Sequence, residues 1–314
     1  MFEIIRIYYM RKIFLLLSLS AVCLLSYAQP SAQDFLQRYN TLAGRLGPDG
    51  VGVETLLENW EEAYPEDLDM LKAKWQYYFT KAQSTTLEMM DREKYLGEAP
   101  ALSLKDSLGN NVNYFQKTVF DDEMFGQATQ ALEKATKIAP DDLELHFGKI
   151  TGLLTYEGES PDMAKAAIRS LIDYNYLSKP SWTFAGEPAT QADFEDAIQE
   201  YCFTFYQIGS PASFEAFREI AQKMIDYKCK NVVFQNDVAT YYQVYKDNPK
   251  EALKLYNKVL KAVPDDYTAI KNSVLIARKT GNKKNEKKYL AMLAKYAPTE
   301  IERTQAQTRL SSLK

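Results

Sequence analysis

Two stretches of this chain are nearly the same phrase, and that repetition constrains the fold more than any other feature. Residues 135–142 read Ala-Thr-Lys-Ile-Ala-Pro-Asp-Asp, and residues 259–266 read Val-Leu-Lys-Ala-Val-Pro-Asp-Asp. In each, a small residue stands twelve positions before the proline (Ala128, Ala252), a large one eight before (Leu132, Tyr256) and a smaller apolar one five before (Ala135, Val259). Those offsets fall on one helical face, as close packing of helix on helix requires. Proline cannot continue a helix interior, and the aspartates after it suit the start of the next helix, where acceptors cap free N–H groups. Each Pro-Asp-Asp is therefore a stop and a start.

The spacing of such turns gives the period. Pro298 follows Pro264 at the same interval by which Pro264 follows Lys230, which stands at an equivalent turn. That interval, about 34 residues, is the helix-turn-helix period of the tetratricopeptide repeat. The chain resembles that family most clearly over residues 231–298. Further matches lie at 121–156 and from Val53 to Phe79, where Pro65 is preceded by Val53, Leu57 and Trp60 and followed by Leu71, Trp75 and Tyr78. The pattern departs from the family at Glu286, where a small residue is expected, and at Ile270 and Val274, where Trp and Gly are common. The whole chain also resembles exported tetratricopeptide proteins of Gram-negative anaerobes, with the stretch Leu143 to Lys149 as the most recognisable phrase. The resemblance implies an all-α fold, a right-handed superhelix of antiparallel helix pairs.

Longer gaps between prolines locate the insertions. Pro65 to Pro140 reads as two periods with a short excess, and Pro140 to Pro264 as three periods with a longer one. The first excess is assigned to residues 97–120 and the second to 178–190, where Pro180, Gly186 and Pro188 read as loop. Within the first, Leu102-Ser103-Leu104, the turn Gly109-Asn110-Asn111 and the strand-prone Val112 to Phe115 predict a short β-hairpin near 101–116. Residues 191–208 and 211–228 are expected to form an antiparallel pair turning at Gly209-Ser210-Pro211. That places Cys202 and Cys229 too far apart for a disulfide.

Residues 1–28 read as a secretory signal. Arg11 and Lys12 precede an apolar run from Ile13 to Leu25, and Ser26-Tyr27-Ala28 offers a small-residue cleavage site before Gln29. The run is shorter than the roughly 20 residues of a membrane span. Either Met1 or Met10 could serve as the start. Lipidation at Cys23 is the weaker reading, because Val22 stands where lipoprotein signals carry a small residue. The expected organisation is thus a signal peptide at 1–28 and one helical-repeat domain at 29–314. Its expected location is the periplasm or outer membrane of a Gram-negative bacterium.

Composition and motifs narrow the function classes. The net charge is −4, or −6 once positions 1–28 (with Arg6, Arg11, Lys12 and Glu3) are removed. That argues against nucleic acid, whose binding needs a concentrated basic face; Lys283, Lys284, Lys287 and Lys288 read as a solvated helical stripe. The single histidine, His146, excludes any site needing two imidazoles and reads as a packed residue. HExxH, CxxC, P-loop and G-x-G-x-x-G motifs are missing, so neither metal nor cofactor is expected. The acidic clusters Asp121-Asp122-Glu123, Asp141-Asp142 and Asp265-Asp266 stand at predicted helix starts and read as caps.

The expectation is a non-catalytic scaffold for a protein or peptide partner. In tetratricopeptide arrays the first helix of each pair lines a concave groove, and that register selects Phe234, Asp237, Tyr241 and Tyr245 from one repeat. From the next it selects Lys271, Leu275, Arg278 and Lys279. The reading is an aromatic wall beside a cationic one, suited to an extended peptide or glycan with a carboxylate held by Lys271 and Arg278. The family's clamp for C-terminal carboxylates needs Asn where Leu275 stands. Trp182 and Phe184 are a second candidate, as exposed recognition aromatics or as a plug over the solenoid edge. Two alternatives remain open: a glycan-binding accessory of an outer-membrane uptake system, and a hydrolase using paired carboxylates.

Overall fold

The structure, a computed structural model, describes residues 30–313; the leader readings, including Cys23 and the cleavage site, lie outside the described residues. It is built from antiparallel helix pairs. The first pair is α1 (Ala32–Leu46) and α2 (Val53–Ala63), and the second is α3 (Leu68–Lys81) and α4 (Asp122–Ile138). Next come α5 (Leu143–Glu157) with α6 (Asp162–Ser178) and α7 (Gln191–Ile208) with α8 (Pro211–Asp226). The last pairs are α9 (Val233–Val244) with α10 (Pro249–Ala262) and α11 (Tyr267–Lys279) with α12 (Lys283–Tyr296), followed by α13 (Glu300–Ser312). The repeat offsets work as predicted: Ala128, Leu132 and Ala135 are buried, as are Ala252, Tyr256 and Val259.

Two compact units divide the described residues. One comprises residues 30–82 and 121–138, the other 83–120 and 139–313. In the first, α2 packs between α1 and α3, and α3 lies along α4. Trp60 stacks on Phe35 with ring centroids 5.9 Å apart and planes 9° off parallel. In the second, each first helix packs on its own second helix and on the first helix of the neighbouring pair: α9 touches α7, α8, α10 and α11. This is the stacking of an α-hairpin solenoid, in which each unit buries its apolar face on the next.

The first insertion is larger than expected and sits elsewhere in the repeat. Strand β1 (Gln83–Met90) begins directly after α3 and pairs antiparallel with β3 (Asn111–Phe120), whose other edge takes β2 (Leu102–Lys105). The hairpin forms where the sequence places it, with the Asp106 carboxylate accepting from the Leu108 and Asn110 N–H groups at 2.8 Å. The third strand goes undetected because no Gly or Pro separates it from α3. The sheet replaces the turn between α3 and α4, so Pro65 to Pro140 holds one repeat with a long insertion. The neck closes where Asp121 N–H donates to the Ala82 carbonyl at 2.8 Å.

The second insertion also has a defined anchor. A two-residue ladder, β4 (Thr183–Phe184) with β5 (Glu187–Pro188), is tied to the start of α5 by the Thr183 N–H donating to the Asp141 carbonyl at 2.9 Å. The Asp141 carboxylate accepts from the Tyr174 hydroxyl at 2.7 Å and the Ser181 N–H at 3.2 Å. Asp141 therefore holds a loop and does not cap a helix. One aspartate of each cluster does cap: Asp121 accepts from Met124 N–H, Asp142 from Glu144 N–H and Asp266 from Ala269 N–H.

Glu286 takes the place of the repeat's small residue, yet it is only 3% exposed. Arg278 Nε lies 3.2 Å and Arg309 Nε 2.9 Å from its Oε1, so α13 is pinned to the last pair by a carboxylate shared between two guanidinium groups. Cys202 and Cys229 are both buried and unpaired, as geometry requires.

Candidate functional site

The groove residues picked by register do not form one open wall. Phe234 is fully buried, Tyr241 is 2% exposed and Asp237 8%. The 18-residue α7 lies against α9, and Phe234 joins the core with Phe194, Ile198 and Cys202 from that helix. The Tyr241 hydroxyl donates to Glu215 on α8 at 2.6 Å. Tyr245 is half-buried and stacks on Phe214 at 4.8 Å. The expected aromatic wall is thus core, because the helix before it covers that face.

Lys271, Leu275, Arg278 and Lys279 are exposed on α11, but each cation already has a carboxylate. Lys271 pairs with Glu302 at 3.1 Å, Arg278 with Glu286 and Lys279 with Asp247 at 2.7 Å. The charge left there for a ligand is the single excess created where Arg278 shares Glu286 with Arg309.

The second candidate separates into its two members. Trp182 is 5% exposed, stacked on Phe194 at 5.9 Å, with its indole N–H donating to Asn175 Oδ1 at 2.8 Å. It is the plug of the two readings. Phe184 stays half exposed and tilts against Phe147. His146 lies between Tyr174 and Trp182, with Nε2 2.8 Å from the Pro140 carbonyl. Burial pulls its pKa below the usual histidine value, against the Pro140 contact.

The helix that fails as a wall holds an unusual polar cluster. Gln199 Nε2 on α7 donates to Asp237 Oδ1 at 3.4 Å, while Gln199 Oε1 and Asp237 Oδ2 have no partner. Both orphans are acceptors, and a proton on Oδ2 would remove the buried charge. Burial pushes the Asp237 carboxyl up to about 7, and the buried Cys202 thiol and Tyr256 phenol face the same charge. Nearby, Glu215 shows the opposite balance. Its burial alone would raise the pKa, but hydrogen bonds from Lys246, Tyr241 and Arg218 bring it down to about 2.

An open concavity of the second unit lies where the inserted sheet meets the first helices of two pairs. It is a cleft of about 470 Å³. Thr151, Leu154 and Thr155 come from α5, Tyr201, Thr204 and Ile208 from α7, Gln116 to Thr118 from β3, and Tyr95 and Leu96 from the loop after β1. Gly97 fixes that loop: its φ is +85°, and a Cβ there would come within 2.6 Å of the Gln207 carbonyl at the end of α7. The two charged lining residues are occupied. Lys117 pairs with Glu88 at 2.7 Å, and Glu157 accepts the Met163 and Ala164 N–H groups of α6 at 2.6 and 2.7 Å.

The ligand-facing chemistry is therefore hydroxyl, amide and hydrocarbon, with no free charge. The rings are engaged too: Tyr95 packs edge-on to Phe115, Tyr156 to Phe120 and Tyr201 to Phe147. Sequence reasoning passed over this site because its threonines read as ordinary helix-surface residues, and because the β1 strand that shapes it was not detected. Among the described residues, no group of three or more His, Cys, Asp or Glu is arranged to hold a metal.

Comparison with known proteins adds a distant likeness. No family model matches the chain, and no curated protein matches it in sequence. Among solved structures, the crystal structure of the flexible tandem repeat domain from a bacterial cellulose synthase is similar over 90% of this chain and 97% of that one. The identity is 14% and the TM-score 0.28, a likeness too distant to bear on function. No helix among the described residues is long and apolar enough to cross a membrane.

Proposed function

We propose that this chain is an exported, non-catalytic helical-repeat scaffold of the tetratricopeptide type, which holds an extended, uncharged peptide segment in the cleft between β3, α5 and α7. The observation that carries this is the neutral lining: both charged side chains are bound within the protein, and the hydroxyl oxygens of Thr155 and Thr204, whose protons go to the Thr151 and Glu200 carbonyls, remain with the Gln116 amide to meet a peptide backbone. A glycan is the weaker fit, because sugar recognition uses flat aromatic faces and each lining ring is already packed against another ring. Export rests on the charged, apolar and small-residue order of residues 11–28.

The test is fluorescence anisotropy with a panel of short labelled peptides, alongside a panel of neutral oligosaccharides. Thr155→Trp and Thr204→Trp fill the cleft from two different helices. Each should weaken peptide binding by at least about tenfold, roughly 1.4 kcal/mol, while thermal unfolding stays close to wild type. Peptide binding indifferent to both substitutions, or saturable oligosaccharide binding that both abolish, would overturn the reading.

A further inference from the structure

We propose that the outward face of α10 and α12 is a docking surface for an anionic phospholipid bilayer. The two helices carry nine lysines against two glutamates, in a chain whose net charge is −4. Their positions make one face of each helix. Lys254, Lys258 and Lys261 recur at helical spacing on α10, as do Lys284, Lys287 and Lys288 on α12, and all six are exposed. The faces adjoin, because Lys288 Nζ lies 3.2 Å and the Tyr289 hydroxyl 2.9 Å from Oδ1 of Asn257, the neighbour of Lys258.

The charge on this face is largely uncompensated. Of the two glutamates, Glu286 is buried between Arg278 and Arg309, and Glu251 pairs with Lys254. Among the described residues, Lys258, Lys261, Lys284, Lys287 and Lys288 form no salt bridge. Several cations elsewhere are committed to carboxylates, as at Lys246 with Glu215 and Lys223 with Asp173.

What the face lacks selects the partner. Every cation on the two helices is lysine, a point charge without the planar fork with which arginine reads bases and paired phosphates. Tyr256 and Tyr289 are buried, and the half-buried ring of Tyr296 is already covered by the Lys295 ammonium, 4.7 Å from its centroid, which leaves little for a base to stack on. None of the exposed large apolar side chains lies on either helix, which leaves a protein partner without an anchor. A second copy is a poor match: on the acid-rich α2, Glu54 and Glu61 are held by Lys81 and Lys74, which leaves only Glu58 and Glu62 to face the nine lysines. An array of flexible ammonium groups fits laterally mobile headgroup phosphates, which can gather beneath it without any fixed pattern.

This face is separate from the cleft, so the two readings stand or fall independently. The experiment is co-sedimentation of the full-length chain with vesicles of neutral phosphatidylcholine, with and without about one quarter phosphatidylglycerol. The chain should bind only the anionic vesicles and dissociate as salt shortens the screening length. Each lysine near such a surface contributes roughly fivefold, so a Lys258→Glu, Lys261→Glu, Lys284→Glu, Lys287→Glu variant should lose at least about a hundredfold in affinity. Its unfolding should match wild type, and the milder Lys→Gln set should lie between the two. Binding through the apolar leader would instead survive both salt and substitution, and that result overturns the proposal. So would tighter binding to duplex DNA than to vesicles, or salt-sensitive self-association of the protein alone.

Discussion

Replacing Asp237 with asparagine should stabilise this protein, and by more at alkaline pH than at acid pH. The native carboxyl is 8% exposed, has one oxygen without a partner and titrates near 7, against 3.8 for the free group. A folded-state pKa above the unfolded one means that stability is complete below about pH 4 and is lost as pH rises through the folded value. Three units at roughly 1.4 kcal/mol each give about 4 kcal/mol in all, more than half of it between about pH 5 and pH 8. Asparagine has the same shape and no charge, and its Oδ1 can still accept from Gln199 Nε2. The gain should therefore approach about 4 kcal/mol near pH 8 and shrink to about 1 to 2 near pH 5. Urea denaturation at both pH values measures it, with hydrogen exchange of the 233–244 amides confirming that the gain resides on α9. A variant no more stable than wild type near pH 8, or a gain that ignores pH, would refute the reasoning.

Three further outcomes follow from buried side chains. Glu286→Ala restores the small residue of the repeat but removes the shared partner of two half-exposed guanidinium groups, so we expect a loss of about 1 to 2 kcal/mol from the charge-assisted bonds and earliest exchange in α13. Because Glu286 is held below the ordinary carboxylate range, first by Arg309 and then by Arg278 against its burial, its contribution should fade as pH drops through that range. Trp182→Ala opens a cavity under the 179–190 loop and orphans Asn175, costing about 3 to 5 kcal/mol by chemical denaturation; a smaller effect than Phe184→Ala would contradict the plug. Cys202 and Cys229 should resist alkylation until the protein unfolds, since burial raises both thiol pKa values, and labelling under native conditions would show that the pocket opens.

The sequence by itself determined the helical hairpins, because an apolar stripe at fixed offsets and a Pro-Asp-Asp punctuation are local properties that each repeat states in full. Ala128, Leu132 and Ala135 are buried for the same reason as Ala252, Tyr256 and Val259, and periodicity alone reveals it. The tertiary structure decided what lies between the repeats. Whether Tyr241 faces water or core depends on α7 and α8, and whether Lys271 is free depends on Glu302, 31 positions away. The cleft depends on a strand beginning without a breaker after α3, and on Gly97 meeting the Gln207 carbonyl. Contacts between residues so distant in sequence leave no periodic trace, so the repeat is legible in the chain while its binding face is not.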